Sequence, residues 1–307
     1  MRQTAVLDVG CHSALLTVVR WRPGSVLDPV FSHKVRLRLH EALDQKGRLG
    51  EAGVESVQRA VVEAVTADPR PRPSDLFAFA TSVIRDAPNR DEVIAGIARK
   101  TGMWLRVLPG EEEARLTYVA ARTWAGGRTE PMVVLDIGGG TVEMASGTGD
   151  QPRFVRSLPL GARMITRQWL PGGLLPSGRR LAEVRRYLRQ CLNRPPGVPR
   201  AARGDRVLAC SKTFEQLARF ANPRRHSHKL SLHQLRSRIT LLGSPGPDHR
   251  ISLPGISRHR AGQSLAGALV AESLMEACGV EDVEICPWST REGLLLERLG
   301  MTEDSRP

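Results

Sequence analysis

The sequence predicts an α/β protein built from two halves of like design, and three observations carry that prediction. An apolar strand ending in Asp-x-Gly occurs twice, as "VLDVG" (Val6–Gly10) and "VLDIG" (Val134–Gly138). Each copy is followed by a short polar loop and an apolar return strand, as a buried hairpin requires. Strand-like and helix-like segments alternate through the rest of the chain. A repeat at domain spacing marks duplicated domains rather than a solenoid, and 307 residues suffice for two cores. The linker "AGGRTEP" (Ala125–Pro131) divides the chain into 1–125 and 126–307, with the last helix a candidate to pack back on the first half. The two halves are expected to face each other across a cleft.

Ala5–Leu7 and Leu15–Val19 read as the first hairpin, and Val35–Leu39, alternating arginine with apolar residues, as a third strand. Gly53–Thr66 carries apolar residues at helical spacing and is stopped by "DPRPRP" (Asp68–Pro73). "LFAFA" (Leu76–Ala80) is a short buried strand that leads into a polar turn. Glu92–Lys100 is helical with Gly102 as its C-cap, "WLRVL" (Trp104–Leu108) is a strand, and a helix runs from Glu111 to Trp124. "MVVLDIGGGTVEMASG" (Met132–Gly147) is the second hairpin. Pro176–Leu192 contains a basic helix, Asn193–Asp205 is a surface loop, and Arg206–Phe220 reads as strand, polar turn and helix. Pro223–Arg260 is basic, with His226, His228 and His233 at no metal-ligand spacing and read as surface residues. Ala261–Gly279 is a long helix with a stripe of small residues, suited to a dimer interface or to its own core. Val283–Leu299 closes the chain as strand, turn and helix.

Composition narrows the function. The chain is 41% hydrophobic and 25% charged, while 4% aromatics leaves few platforms for stacking bases. No apolar run approaches the roughly 18 residues of a membrane span, and no secretory signal precedes the first strand, so a cytoplasmic protein with no membrane partner is expected. The five cysteines are odd in number, irregularly spaced and without a C-x-x-C pair, which argues against a disulfide framework and a zinc site. The net charge of +13, carried mostly by arginine, favours an anionic partner such as nucleic acid, a nucleotide or inorganic polyphosphate. A solubilising surface is the alternative.

Gly138, Gly139 and Gly140 offer backbone N–H groups with no Cβ in the way, as wrapping a phosphate oxygen requires, and Thr141 adds a hydroxyl. A sharp hairpin also needs glycine. The matching loop Gly10, Cys11, His12, Ser13 strengthens the phosphate reading, because two loops on one cleft grip neighbouring phosphates. Asp136 and Glu143 are placed to hold Mg²⁺, mostly through water, with Asp8 as a further candidate. Their alternatives are bonds to loop N–H groups and plain exposure. Glu111, Glu112 and Glu113 stand in a first helical turn, where the dipole favours carboxylates and from which one of them can serve as a general base. Thr81, Ser82 and Arg85 follow a buried strand. The arginine fork suits phosphate oxygens, and an ion pair with Asp86 is its alternative.

Together, "LDVGCHS", "FATSVIRDAPN", "GEEEARLTYVAAR", "LDIGGGTVEM" and the carboxy-terminal "AGALVAESLMEACGVEDVEICPWSTREGLLLERL" resemble the exopolyphosphatase / guanosine pentaphosphate phosphohydrolase (Ppx/GppA) family. The likeness spans essentially the whole chain and is greatest to the short two-domain actinobacterial exopolyphosphatases. It implies two actin-like domains (acetate kinase–sugar kinase–Hsp70–actin, ribonuclease H-like) facing a central cleft, in a family whose members often form homodimers. It further implies release of terminal orthophosphate from inorganic polyphosphate. By the same likeness Glu113 is the base that activates water, Asp136 and Glu143 place Mg²⁺, the two loops hold phosphates, and Ser82 and Arg85 contact the chain.

Two departures stand out. Cys11-His12-Ser13 replaces a usual Ser-Asn-Ser, and cysteine is the poorer donor, though a protonated His12 would compensate at mildly acidic pH. "ACSKTF" places Lys212 where a glycine would leave room for a nucleotide base, which counts against guanosine pentaphosphate as substrate. The altered first loop also keeps open a non-catalytic sensor of polyphosphate or nucleotide. Nucleic-acid binding is disfavoured, since no aromatics interleave the basic stretch.

Overall fold

The strand order repeats what the sequence repeats. The computed structural model describes residues 2–21, 27, 29–67, 76–126, 130–171, 176–223, 228–243 and 253–301. Two units emerge, Met1–Glu112 with Leu294–Pro307, and Glu113–Gly293.

In the first unit, β1 (Arg2–Val9), β2 (Ser13–Trp21), β3 (Pro29–Arg36), β4 (Leu76–Ala80) and β5 (Arg106–Val107) form a sheet in the order β3-β2-β1-β4-β5. β1, β2 and β3 pair antiparallel, whereas β1, β4 and β5 run parallel. The helices are α1 (Glu51–Thr66), the single turn α2 (Ser82–Arg85) and α3 (Arg90–Thr101). Val57, Ala60, Val61 and Ala64 fall on one stripe of α1 and are buried with Ile97 of α3 against Leu7, Leu16 and Val18 of the sheet. Gly102 ends α3 in the left-handed region (φ +68°), its N–H donating to Ala98 O at 2.8 Å, as its position predicts.

The second unit holds most of α4 (Gly110–Trp124), then β6 (Met132–Ile137), β7 (Val142–Gly147), β8 (Phe154–Leu158), α5 (Ala162–Trp169), α6 (Gly178–Asn193), β9 (Arg206–Cys210), α7 (Lys212–Ala221), β10 (Lys229–Ser231), α8 (Leu232–Leu242), α9 (Ser264–Cys278), β11 (Asp282–Cys286) and the start of α10 (Thr290–Arg298). Its sheet runs β10-β11-β9-β6-β7-β8. Counted from β8, this is the order of the first sheet with one more edge strand, and the same switch from antiparallel to parallel falls at β6. Both sheets thus have the ribonuclease H-like, actin-like arrangement that the resemblance implies. No helix among the described residues is long and apolar enough to cross a membrane.

α9 is buried almost all round, as a helix apolar on every face should be. Its small residues pack inside this unit, where a Cβ on Gly267 would meet Thr213 under 3.0 Å away. Burial at its end pushes the Cys278 thiol up to about 12.

Three readings of the sequence shift. The third strand lies at Pro29–Arg36 rather than Val35–Leu39: Leu37 N still donates in register to His12 O (2.8 Å), but Leu39 N shifts to Cys11 O (3.1 Å) as the chain turns away. "WLRVL" contributes only Arg106–Val107, with Trp104 exposed. β8, α5, β10 and α8 lie in stretches whose periodicity gives no strand or helix on its own. His228 and His233 are exposed, whereas His226 lies outside the described residues.

α10 begins on a Ser-x-x-Glu box, with the Ser289 N–H donating to Glu292 Oε2 at 2.9 Å. Thr290 Oγ1 lies 3.0 Å from Thr117 Oγ1 of α4. At Gly293 the helices cross so closely that a Cβ would stand under 3.0 Å from Leu116 backbone atoms. Gly293→Ala is therefore expected to lower the urea midpoint by an amount worth about 2–3 kcal/mol. An unchanged midpoint would show that this crossing yields without cost.

Candidate functional site

The two Asp-x-Gly hairpins close in the same way. Gly10 N donates to Ser13 O at 2.9 Å, and Gly138 N donates to Thr141 O at 2.9 Å. In both loops the carbonyls are then taken up by the segment that follows. Cys11 O and His12 O accept from Leu39 N and Leu37 N. The second loop is held by the amino end of α5: Gly161 N donates to Gly140 O, Ala162 N to Gly138 O, and Arg163 N and Met164 N to Gly139 O, all at 3.0–3.1 Å. Helix-terminal N–H groups normally lack partners, and here the loop carbonyls supply them.

With its carbonyls engaged and the Gly138 N–H closing the hairpin, the second loop keeps two central N–H groups. Those of Gly139 and Gly140 donate to no backbone carbonyl among the described residues. Successive N–H groups of this kind form an anion-binding concavity. The Arg163 guanidinium lies over the loop, its Nη1 3.1 Å from where a Cβ on Gly139 would stand. Gly161 permits the whole arrangement, since its Cβ would fall under 3.0 Å from Gly139 and Gly140 backbone atoms.

Beside this loop, Asp136 on β6 and Glu143 on β7 are directly opposed across the antiparallel ladder and share a face. Ser157, opposite Glu143 on β8, donates to Glu143 Oε1 at 2.9 Å. Burial, and then the Glu143 charge, hold the Asp136 carboxyl well above its ordinary 3.8, while Arg260 pulls it partly back. Two like charges on adjacent strands repel, and a divalent cation would relieve them. Mg²⁺ favours one or two carboxylates, water and substrate phosphates, so this pair fits it. The equivalent pairing in the first hairpin sets Asp8 against Leu15, so that loop lacks the opposed carboxylate.

The glutamates of α4 separate by burial. Glu111 is exposed, Glu112 half-buried and Glu113 buried, 8% accessible. The Glu113 carbonyl accepts from Thr290 Oγ1 at 3.5 Å, which ties this turn to the start of α10. Tyr118 and Ala121, further along α4, pack on Met132 and Val134, the residues that share the Asp136 face of β6.

In the first unit, Thr81 N donates to Val9 O at 3.2 Å and brings the start of α2 to the first loop. Ser82 opens α2. Arg85 forms the ion pair with Asp86 (2.9 Å) and donates to Leu108 O at 3.3 Å. Lys212 starts α7 and pairs with Glu215, its side chain 63% exposed. Thr213 behind it donates to Ile137 O at 2.8 Å.

Sequence reasoning missed Ser157, Gly161, Arg163 and Arg260. Ser157, Gly161 and Arg163 lie between hairpin and helix where neither period is legible, although a glycine opening "GARM" is a usable helix-start signal. Arg260 is one arginine in a basic run, with nothing to single it out.

The model of the Ppx/GppA phosphatase family matches residues 17–302. The chain belongs to that family. It is 40% identical to Exopolyphosphatase 1 of Mycobacterium tuberculosis, over 97% of this chain and 89% of that one. It is 24% identical to a guanosine-5'-triphosphate,3'-diphosphate pyrophosphatase of Aeromonas hydrophila, over 98% of this chain and 60% of the relative. Its fold superposes on the Ppx/GppA family member of Aquifex aeolicus with a TM-score of 0.81, at 22% identity and 97% coverage of both chains.

Two outcomes follow for this phosphatase. Gly161→Ala should displace the second loop and weaken orthophosphate inhibition at least about tenfold, equivalent to about 1.4 kcal/mol; unchanged inhibition would detach that loop from phosphate. Because the folded protein holds the Asp136 proton more tightly than the unfolded chain, stability falls as pH rises from 3.8 through the raised pKa. Under chelation, Asp136→Asn should therefore gain melting temperature over the parent progressively from acidic to neutral pH. A difference that does not vary with pH would show that Asp136 titrates ordinarily.

Proposed function

We propose that this chain is a cytoplasmic exopolyphosphatase that releases terminal orthophosphate from inorganic polyphosphate, short chains foremost, with Mg²⁺ as its divalent ion. The observation that supports this best is the second loop, whose carbonyls are captured by α5 while the Gly139 and Gly140 N–H groups donate to no backbone carbonyl among the described residues, beside an opposed carboxylate pair. The 40% identity to the mycobacterial exopolyphosphatase points the same way.

The roles follow from chemistry. The Gly139 and Gly140 N–H groups and the Thr141 hydroxyl donate to phosphate oxygens, Gly138 shapes the loop by closing its hairpin, and Arg163 adds positive charge over them. Gly10, Cys11, His12 and Ser13, with Ser82 and Arg85, are read as phosphate contacts of the first unit. Glu113, a buried carboxylate in a first helical turn, accepts a proton from water. The water oxygen bonds to the terminal phosphorus, the P–O–P bridge breaks, and the bridging oxygen leaves with the shortened chain. Asp136 and Glu143 would hold Mg²⁺, which when bound offsets the charge of the phosphate chain.

Glu113→Gln should reduce phosphate release from short polyphosphate by about 10²–10⁴-fold with little change in KM. Equal activity would remove Glu113 from the mechanism. The Aeromonas relative keeps guanosine pentaphosphate as a second substrate to test, and competition between the two decides. Binding of polyphosphate with no turnover in any divalent ion would replace the enzyme with a sensor.

A further inference from the structure

The first loop, read as a phosphate contact, also gathers sulfur and imidazole donors that phosphate binding alone does not require. Cys11, His12 and His40 bring one ligand atom each to within 4.8 Å of one another. Cys11 Sγ lies 3.5 Å from His40 Nδ1, and the His12 and His40 rings meet edge-on with centroids 5.1 Å apart. We propose that these three side chains form a binding site for a borderline-soft divalent cation, with Zn²⁺ the preferred ion.

Four observations support it. Thiolate and imidazole are the donors that Zn²⁺ selects over the oxygen ligands of Mg²⁺. Zn–S near 2.3 Å and Zn–N near 2.0–2.1 Å at a tetrahedral angle put sulfur and nitrogen about 3.6 Å apart. The Cys11–His40 separation already matches. The remaining edges, none longer than 4.8 Å, would close by up to about 1.5 Å, within reach of side-chain rotation.

The two ligand-bearing segments are also fixed to each other by backbone. Leu37 N to His12 O and Leu39 N to Cys11 O tie the segment after β3 to the loop, and His40 follows directly. Leu37 and Leu39 are both buried in the core beneath. His40 finally turns its other nitrogen, Nε2, to Glu41 Oε1 at 3.9 Å. A carboxylate that closes to hydrogen-bond distance of the non-ligating nitrogen would orient a metal-bound histidine, and Glu41 is near enough to do so by a small side-chain movement.

Cysteine spacing alone argues against zinc, because spacing rules see ligands near in sequence, and His40 arrives through the turn after β3. Three protein ligands leave one tetrahedral position open. The site lies wholly in the first unit and does not depend on the polyphosphate reading.

The test uses the full chain, stripped with chelator and kept reduced, titrated with Zn²⁺ against a chromophoric competitor and separately with Co²⁺. One equivalent should bind, and Co²⁺ should show a thiolate charge-transfer band. Cys11→Ser should abolish the band, and His40→Ala should weaken Zn²⁺ binding at least about tenfold. Cys191→Ser, a cysteine of the other unit, should change neither. Melting curves without metal confirm that each variant is folded, and His40, 28% accessible at its side chain, is the substitution least costly to the core. Binding below one equivalent, a Co²⁺ spectrum with no thiolate band, or unchanged affinity in folded Cys11→Ser and His40→Ala would each overturn the proposal.

Discussion

The capture of loop carbonyls by the next segment of chain is the constraint on which both hairpins depend. A four-residue loop has as many backbone acceptors as donors, and an anion can use only the donors. Both units solve this alike. The hairpin closes on a Gly N–H to Ser or Thr carbonyl bond, and following residues take the outward carbonyls. In the second unit those residues open a helix, so one set of bonds completes both the loop and the helix terminus. The positive end of α5 is thereby spent on the loop rather than on a ligand. The loop itself becomes the donor surface.

The two hairpins differ most in charge. Residue 143, seven after Asp136, is a glutamate opposite the aspartate, and residue 15, seven after Asp8, is a leucine. Burial first, and the facing Glu143 charge second, raise the Asp136 carboxyl, and such an opposed pair suits a divalent cation. Near the end of β1 the chain instead gathers sulfur and imidazole. One duplicated scaffold therefore presents a hard oxygen donor set in one half and a softer one in the other.

Glycines without unusual backbone angles do much of the positioning. Gly161, Gly267 and Gly293 each sit where a Cβ would collide, against the second loop, α7 and α4 respectively. Their role is close approach. Such glycines carry no local sequence signature, because the group they make room for lies elsewhere in the chain.

The sequence by itself determined the duplication, since two copies of Val-Leu-Asp-x-Gly with apolar flanks can only be central strands with a hairpin beyond. It also marked α1, α3, α4 and α9, whose apolar stripes or full apolarity outweigh local ambiguity. It named Asp136, Glu143, Gly138–Thr141 and the glutamates of α4 by residue type and position. Tertiary structure decided what depends on distant neighbours. Only register shows that Asp136 and Glu143 are directly opposed, and only packing buries Glu113 while leaving Glu111 in water. Gly161 and Arg163 reach the loop across β8, and His40 reaches Cys11 because β3 ends early. The physical reason is common to these cases: periodicity reports how a segment faces a core, whereas contact between segments is set by hydrogen bonds and close approach that only the folded backbone brings about.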